Sequence, residues 1–401
     1  MKIDFHTWKV NVIVSSLIPL FSFIVAPILA RGLGPIDRGS YAAVTTIIIS
    51  VANLLTLGID AALALTKERG VNYRSIVLIY KNNLVFFVAV SFIITFCILH
   101  LIEKISMSIP QILFLSLIPS MLIAFNLFSG WARGNRFFKV LSYFNLLPTI
   151  IRTTLILFLG YYNLIDLWIA IIIMLGSNFL SILWVMKSKE FSCKSDSQDE
   201  LKLRDQAKRI SKEGRKFFPI SILNTIILKF DLIISVFFIT SKDLGLYAVA
   251  LTIAEIPMIF SRAFRDGYYG LEKDIFLSNL KKTGLMLLVF SLVLALVVPS
   301  LISFLFGKAY LESISIAYFL ILVSILKSVQ EAFEILILRH NLQKFVVFLK
   351  LIFIFSFITT LSFLSKKGAI GLALTGIFSY SLISVILILK MVLINKSRKS
   401  G

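Results

Sequence analysis

Apolar residues along this chain fall into twelve runs separated by shorter polar segments. Each run is about twenty residues long, the length that an α-helix needs to cross roughly 30 Å of hydrocarbon. The pattern therefore predicts twelve membrane-spanning helices, at 10–30, 40–65, 78–101, 111–131, 140–160, 165–186, 217–239, 245–262, 283–305, 314–338, 345–364 and 369–392. We expect the first run to be a retained helix and not a signal peptide, because no small-residue cleavage site follows it.

One segment of the chain is repeated 206 residues later. Asp37–Ile47 returns as Asp243–Ile253 with six of eleven positions identical, and Arg133–Asn135 corresponds to Arg339–Asn341 at the same offset. Each copy would contain six spans, an even number, so both copies begin on the same side of the membrane. The repeat therefore predicts an all-α polytopic membrane protein built of two parallel six-helix bundles.

The repeated segment itself is expected to be structural. Gly39 and Gly245 suit helix starts or tight packing, while Tyr41 and Tyr247 suit the aromatic belt at the membrane interface. The repeated segment identifies equivalent positions in the two copies and so defines their symmetry.

The only long polar stretch, at 187–216, joins the two copies. We predict an N-terminal bundle at 1–190, a cytoplasmic linker at 191–214 and a C-terminal bundle at 215–401. Within the linker, Leu201, Leu203, Ala207 and Ile210 are predicted to form the apolar stripe of a short surface helix.

The composition agrees with a membrane protein and the charge gives its orientation. Hydrophobic residues make up 58% of the chain and charged residues 15%, and the mean hydropathy is +0.93. A net charge of +20 would suggest nucleic acid as the partner of a soluble protein, but here the basic residues lie mostly in loops. On one side of the predicted topology these loops hold 29 Lys and Arg, against seven on the other. The positive-inside rule then places both termini in the cytoplasm and excludes a nucleic-acid role.

Signatures of other protein classes are missing from the sequence. Cys97 lies in an apolar run and Cys193 in a polar loop, so no disulfide framework is expected. The three histidines are far apart, and no metal site is predicted. There is no phosphate-binding glycine loop and no external loop long enough for a catalytic domain, so the chain is not expected to be an enzyme.

Five basic residues lie within the predicted spans and are candidates for binding an anionic substrate: Lys81, Arg152, Lys229, Lys327 and Lys350. Lys81 and Lys350 are near the cytoplasmic ends of their spans, where a long side chain can reach the headgroups, and we expect that structural role for them. Arg152, Lys229 and Lys327 lie deep in theirs, where a charge should face protein or water.

Arg152 stands out because its own span, Leu141–Gly160, contains no acidic residue. A planar guanidinium can bind a diphosphate through two parallel hydrogen bonds, so Arg152 is predicted to contact an anionic cargo. The alternative is an ion pair across helices, for instance with Asp60.

Five acidic residues also lie within spans and are candidates for ion coupling: Asp60, Asp231, Glu255, Glu331 and Glu334. All but the first are in the second copy, so the second half is predicted to carry the coupling ion, since carboxylates at this depth commonly form proton or cation relays. Lys327, Glu331 and Glu334 share one helical face, and the alternative for them is a buried ion pair that holds this helix against a neighbour.

Four short stretches resemble a known family. Leu29–Tyr41, Gly130–Phe137, Lys229–Tyr247 and Phe306–Tyr310 are similar, in sequence and spacing, to stretches of polysaccharide flippases of the O-antigen type. These flippases belong to the multidrug/oligosaccharidyl-lipid/polysaccharide exporter superfamily. The twelve predicted spans suit the O-antigen and teichoic-type flippases better than the lipid II flippases, which typically have fourteen.

The resemblance implies a function as well as a fold. Two bundles would enclose a partly cationic cavity, and an undecaprenyl-diphosphate-linked oligosaccharide would move by alternating access from the cytoplasmic to the outer leaflet for O-antigen, capsule or a related polysaccharide. A proton or sodium gradient would drive transport without a cofactor. The implied setting is the bacterial inner membrane, with a monomer working beside the polymerase and chain-length proteins of the pathway.

Two other functions are compatible with a polytopic membrane protein. A multidrug or cation extruder of the same superfamily would need an apolar and acidic cavity, whereas Arg152 favours an anionic cargo. A glycan-assembly enzyme, such as a polymerase or acyltransferase, would need a long external loop or a catalytic cluster of side chains, and the sequence contains neither.

Overall fold

The computed structural model describes residues 5–65, 71–101, 107–135, 137–186, 200–258, 273–339 and 342–399. Within these ranges every regular element is helical. Helices are the expected solution for an apolar chain in a membrane, because each one satisfies its backbone hydrogen bonds internally. The described part of the chain therefore confirms the all-α prediction.

The helices follow one another with short connections. The first seven are α1 (Phe5–Leu55), α2 (Ile59–Leu65), α3 (Tyr73–Asn82), α4 (Leu84–Leu101), α5 (Ile109–Gly134), α6 (Phe138–Tyr161) and α7 (Leu167–Met186). The next six are α8 (Glu200–Phe238), α9 (Ser241–Ala254), α10 (Lys273–Leu301), α11 (Ser313–Arg339), α12 (Gln343–Leu364) and α13 (Gly368–Lys399). Short π- and 3₁₀-helical turns at Ile302–Phe306, Lys308–Tyr310 and Ser365–Lys367 complete the described part.

Seven stretches of these helices are long and apolar enough to cross a membrane, or eight if the bent pair α3 and α4 forms one span. The chain is therefore a multi-pass membrane protein. Two of the seven, Leu17–Leu55 and Lys344–Lys390, are 39 and 47 residues long, about twice the roughly 20 residues of one crossing. Each long stretch contains a break and is compatible with two crossings, so the twelve-span arrangement stays a prediction.

The breaks lie where the backbone leaves the helical region. Gly34 interrupts α1 with φ 69° and ψ 173°, a conformation that costs glycine little because it has no Cβ atom. Helices α3 and α4 meet at Asn83 with a bend of 57°. This second break shapes a cavity that is described below.

The chain divides into two compact units. One consists of Met1–Gly32 and Ser40–Ile233, and the other of Leu33–Gly39 and Ile234–Gly401. In the first unit α5 packs against α2, α3, α4, α6 and α7, and in the second α11 packs against α9, α10, α12 and α13. Helices α5 and α11 are related by the 206-residue repeat, so equivalent helices are central in both units. The bundle and linker boundaries drawn from the sequence remain predictions.

The N-terminal part of α8 is amphipathic, as the linker sequence predicts. Leu203, Ala207 and Ile210 are buried, whereas Leu201 is 75% exposed. Leu201 was wrongly placed in the stripe, because two residues in a helix turn through about 200° and Leu203 already fixes the buried face. Gly214 continues the stripe instead and touches Ile59.

The glycines of the repeated segment face each other within the second unit. A Cβ on Gly39 would overlap the carbonyl oxygen of Ser241, and a Cβ on Gly245 would overlap that of Pro35. Pro35 and Ser241 are themselves related by the 206-residue offset, so the contact is reciprocal. The expected tight packing is therefore a close backbone approach between the two copies of one segment.

The tyrosines of the repeat differ from the interfacial placement expected for them. Tyr41 is 7% and Tyr247 3% exposed, and the Tyr41 hydroxyl lies 3.5 Å from the Met174 sulfur in the first unit. Both rings are core residues, because their helices are covered along the face that carries them.

Candidate functional site

Asp60 lies at the start of α2, directly after a sharp break in the first unit. Leu57 and Gly58 have φ values of 54° and 72° and separate the end of α1 at Leu55 from the start of α2 at Ile59. The Thr56 hydroxyl donates to Asp60 Oδ1 at 2.8 Å. The carboxylate is half-buried and anchored at this break.

Helix α2 approaches α5 closely through two glycines spaced four residues apart. A Cβ on Gly130 would lie 2.6 Å from the Asp60 carbonyl oxygen, and one on Gly134 would overlap that of Leu63. This small-xxx-small pattern lets helix backbones touch in membranes. The Gly130–Phe137 stretch thus has a packing role, and it brings Asp60 beside the helix that carries Arg133.

Arg133 is a candidate that the sequence analysis missed, because it was counted among the loop cations. Its guanidinium donates to the Ser129 hydroxyl and carbonyl at 3.3 Å each, and it interacts electrostatically with Asp60. The glycine pair was the sequence signal that could have indicated this neighbour. Asp60 therefore accepts a hydrogen bond from Thr56 and lies within electrostatic range of Arg133.

Arg152 lies in α6 and reaches across to α1. Its Nη2 donates to the Ser22 hydroxyl at 3.4 Å, a long contact, while that hydroxyl donates to the Ile18 carbonyl at 3.0 Å. The buried Arg152 Nε has no hydrogen-bond partner among the described residues. Among the described residues, Arg152 and Asp60 do not form an ion pair. The structure therefore does not support the alternative of a cross-helix pair between these two residues.

A buried donor without an acceptor is unusual, since most buried polar groups are hydrogen-bonded. Arginine cannot relieve this by losing its proton, because the guanidinium stays charged. The half-buried Arg152 side chain is therefore the strongest anion-binding candidate of the first unit.

Lys350 and Glu334 form an ion pair in the second unit. Lys350 Nζ on α12 lies 2.8 Å from Glu334 Oε1 on α11, and Lys350 is 7% exposed. This differs from the expectation that Lys350 reaches the headgroups, because its stem is covered by the neighbouring helix. The sequence suggested an ion pair that holds the charged face of α11 against a neighbouring helix. In the structure Glu334 makes such a pair, and its partner is Lys350 of α12.

The other two residues of that face are half-buried. Lys327 makes no ion pair with any residue in the part of the chain that the structure describes, and Glu331 lies one turn further along. The spacing places them on one side of α11, as predicted, and the cross-helix ion pair given above belongs to Glu334.

The remaining predicted residues are spread over both units. Lys81 is exposed in the last turn of α3, Asp231 is half-buried in α8, and Glu255 is half-buried directly after α9. The backbone of Lys229 belongs to α8, but its side chain is outside the described residues. Of the ten predicted site residues, the structure joins Lys350 and Glu334 directly; the roles of all ten remain predictions.

Comparison with known proteins identifies the family. The family described as polysaccharide biosynthesis protein matches residues 6–263, more than half of the chain. The chain belongs to this family. The resemblance drawn from its sequence is thereby confirmed at the family level. No curated protein matches the chain.

Solved structures show the same fold at low sequence identity. The lipid II flippase MurJ in its inward closed conformation matches with a TM-score of 0.64 and 15% identity, over 94% of this chain and 87% of that one. An inward-facing multidrug resistance MATE family transporter of the MOP superfamily matches with a TM-score of 0.58 and 14% identity, over 96% and 99%. The chain therefore shares the fold of these two transporters.

Proposed function

We propose that this protein is a flippase for a lipid-linked oligosaccharide, and that Arg152 contacts the diphosphate of its cargo. Family membership supports a role in polysaccharide assembly, and the shared fold supports transport. The cargo would be an undecaprenyl-diphosphate-linked repeat unit that moves from the cytoplasmic to the outer leaflet of a bacterial inner membrane. The proposed orientation, with both termini cytoplasmic, rests on the bias of 29 to seven basic loop residues.

The observation that carries the proposal is the buried Nε donor of Arg152. A diphosphate presents several anionic oxygens, and one of them can accept from Nε while another accepts from Nη2 in a bidentate pair. The contact to Ser22 is long enough to be exchanged for the shorter bond that an anionic oxygen makes. Arg152 would therefore bind phosphate without first breaking an ion pair.

Transport against a gradient needs an energy source, and we propose a proton or sodium gradient. Half-buried carboxylates within helices can bind and release a cation as their exposure changes. Asp231, Glu255 and Glu331 are the candidates in the second copy, because each is half-buried and none of them lies in the Lys350–Glu334 pair. The multidrug extruder stays the alternative, but an organic cation would be repelled by Arg152.

The test is transport by purified protein in vesicles. Arg152→Gln removes the charge and retains a polar amide on a shorter side chain, and we expect flipping of a diphosphate-linked glycolipid to fall at least tenfold, the effect of losing about 1.4 kcal/mol of binding. Arg152→Lys should retain part of the activity, because it keeps the charge but loses the bidentate geometry.

Arg31→Gln is the matched control. Arg31 is exposed and lies just before the break of α1 at Gly34, away from the Ser22 hydroxyl that Arg152 contacts. It should leave flipping within twofold of the unmodified protein. Normal flipping by Arg152→Gln at normal membrane abundance would remove Arg152 from the proposed site.

A further inference from the structure

A second cationic feature lies in the first unit, apart from Arg152. The N-terminal part of α8 and the bend between α3 and α4 enclose a cavity of about 700 Å³. Four basic residues of α8 line it: Arg204, Lys208, Lys212 and Arg215. Their spacing of four, four and three residues places them along one side of the helix, next to the buried stripe. Among the described residues that line the cavity, none is acidic.

Contacts between α8 and α3 hold the walls of the cavity in place. The Gln206 Oε1 atom accepts from the Ser75 hydroxyl at 2.7 Å and from the Asn72 N–H at 3.2 Å. Further along α8, a Cβ on Gly58 would lie 2.6 Å from the Gly214 carbonyl oxygen, so the backbones touch there as well. The basic side chains are therefore presented from a helix that is fixed on both sides of the cavity.

The helix break supplies neutral donors to the same space. Asn82 and Asn83 line the cavity at the 57° bend, and one N–H of the Asn83 amide already donates to the Ile79 carbonyl at 2.8 Å. The second N–H of Asn83 and the amide of Asn82 can serve as donors to an anionic oxygen.

The sequence pattern places the cavity at one end of a predicted span. Arg215 stands two residues before the apolar run at 217–239, and the bent pair that forms the other wall is itself apolar enough to span. On that pair, Val77 is 40% and Val85 82% exposed, which suits contact with acyl chains. A ligand there can have its charged part among the lysines and its chains in lipid.

We propose that this cavity binds the headgroup of a lipid that carries two phosphate groups. The basic side chains can donate to the oxygens of two phosphate groups, and about 700 Å³ is within the roughly 300–1,000 Å³ of ligand sites. Basic pockets beside membrane helices recognise phospholipid headgroups in the same way. Two sources have this chemistry: a bilayer lipid with two phosphodiesters, and the diphosphate of a lipid-linked glycan. Only the second source rests on the proposed function.

The test measures binding and not transport. The full-length protein is placed in phosphatidylcholine nanodiscs containing either cardiolipin or undecaprenyl diphosphate, and bound lipid is counted by native mass spectrometry. In the double variant Lys208→Gln/Lys212→Gln we expect roughly 25-fold weaker binding of at least one probe, since each lysine contributes about fivefold.

Lys202→Gln/Lys216→Gln is the matched control. Both of these lysines are exposed on the same helix outside the cavity, and the double variant loses the same charge. Lys208→Arg/Lys212→Arg retains the charge and should retain binding, which separates loss of the site from loss of the fold.

Loss confined to cardiolipin assigns the site to a bilayer lipid, and loss confined to undecaprenyl diphosphate assigns it to the cargo; either supports the proposal. Equal weakening in the cavity variant and the control, or no weakening, would overturn it. Neither result depends on flipping by the Arg152 variants, so the two proposals fail separately.

Discussion

The ion pair between Lys350 and Glu334 should stabilise the second unit, and removing one partner should be costly. The charges are 2.8 Å apart, and their side chains are 9% and 22% exposed. At an effective dielectric constant of about 20 the attraction is roughly 6 kcal/mol, and breaking a buried pair by deleting one partner typically costs about 3–5 kcal/mol. We therefore expect Glu334→Gln to lower the free energy of unfolding by about 3 kcal/mol, because Lys350 remains buried and charged.

The assay is a double-mutant cycle on the purified protein, with unfolding followed in mixed micelles of increasing denaturing detergent. Lys350→Met should cost about as much as Glu334→Gln, whereas the double variant should recover most of the loss, because neither buried charge remains. The exposed pair Lys242–Glu312, at 3.4 Å with side chains 53% and 68% exposed, is the control. Glu312→Gln should cost less than about 1 kcal/mol.

Transport by the same variants separates a structural pair from a coupling site. If the pair only holds α11 against α12, the double variant should flip cargo at close to the normal rate. A stable double variant without gradient-dependent transport would instead make Glu334 part of the coupling machinery. A cost for Glu334→Gln no larger than that for Glu312→Gln would refute the stabilising role itself.

Two further predictions concern the repeat and the driving force. Gly39→Ala and Gly245→Ala should each destabilise the protein by about 1–3 kcal/mol in the same denaturing titration, because the new Cβ meets a backbone carbonyl. Gly284→Ala, with nothing within 4 Å of its Cβ, should be neutral, and equal effects at all three would argue against close packing. Flipping in vesicles should require a proton or sodium gradient and fall in Asp231→Asn or Glu255→Gln; gradient-independent flipping would reject coupling.

The helical class of this protein was determined by its sequence alone. Apolar runs of about twenty residues admit only helices that bond their own backbone, whatever surrounds them. The 206-residue repeat also predicted that α5 and α11 are equivalent, and both are central helices in their units. Such features depend on local pattern and length, which a single chain displays directly.

The partners of the charged residues were decided by the tertiary structure. Spacing placed Lys327, Glu331 and Glu334 on one face of α11, but the choice of Lys350 depends on how α12 is rotated against that face. Likewise, Asp60 neighbours Arg133 because Gly130 and Gly134 let α2 approach α5.

The rotation of a helix and its distance from its neighbour are set by packing between segments that are far apart in sequence. The pattern of one segment alone does not contain this information. For the same reason the cavity beside α8 was not predicted, although its lysines are visible in the sequence. The sequence identified most of the charged candidate residues, and the packing of neighbouring helices determined which of these residues contact each other.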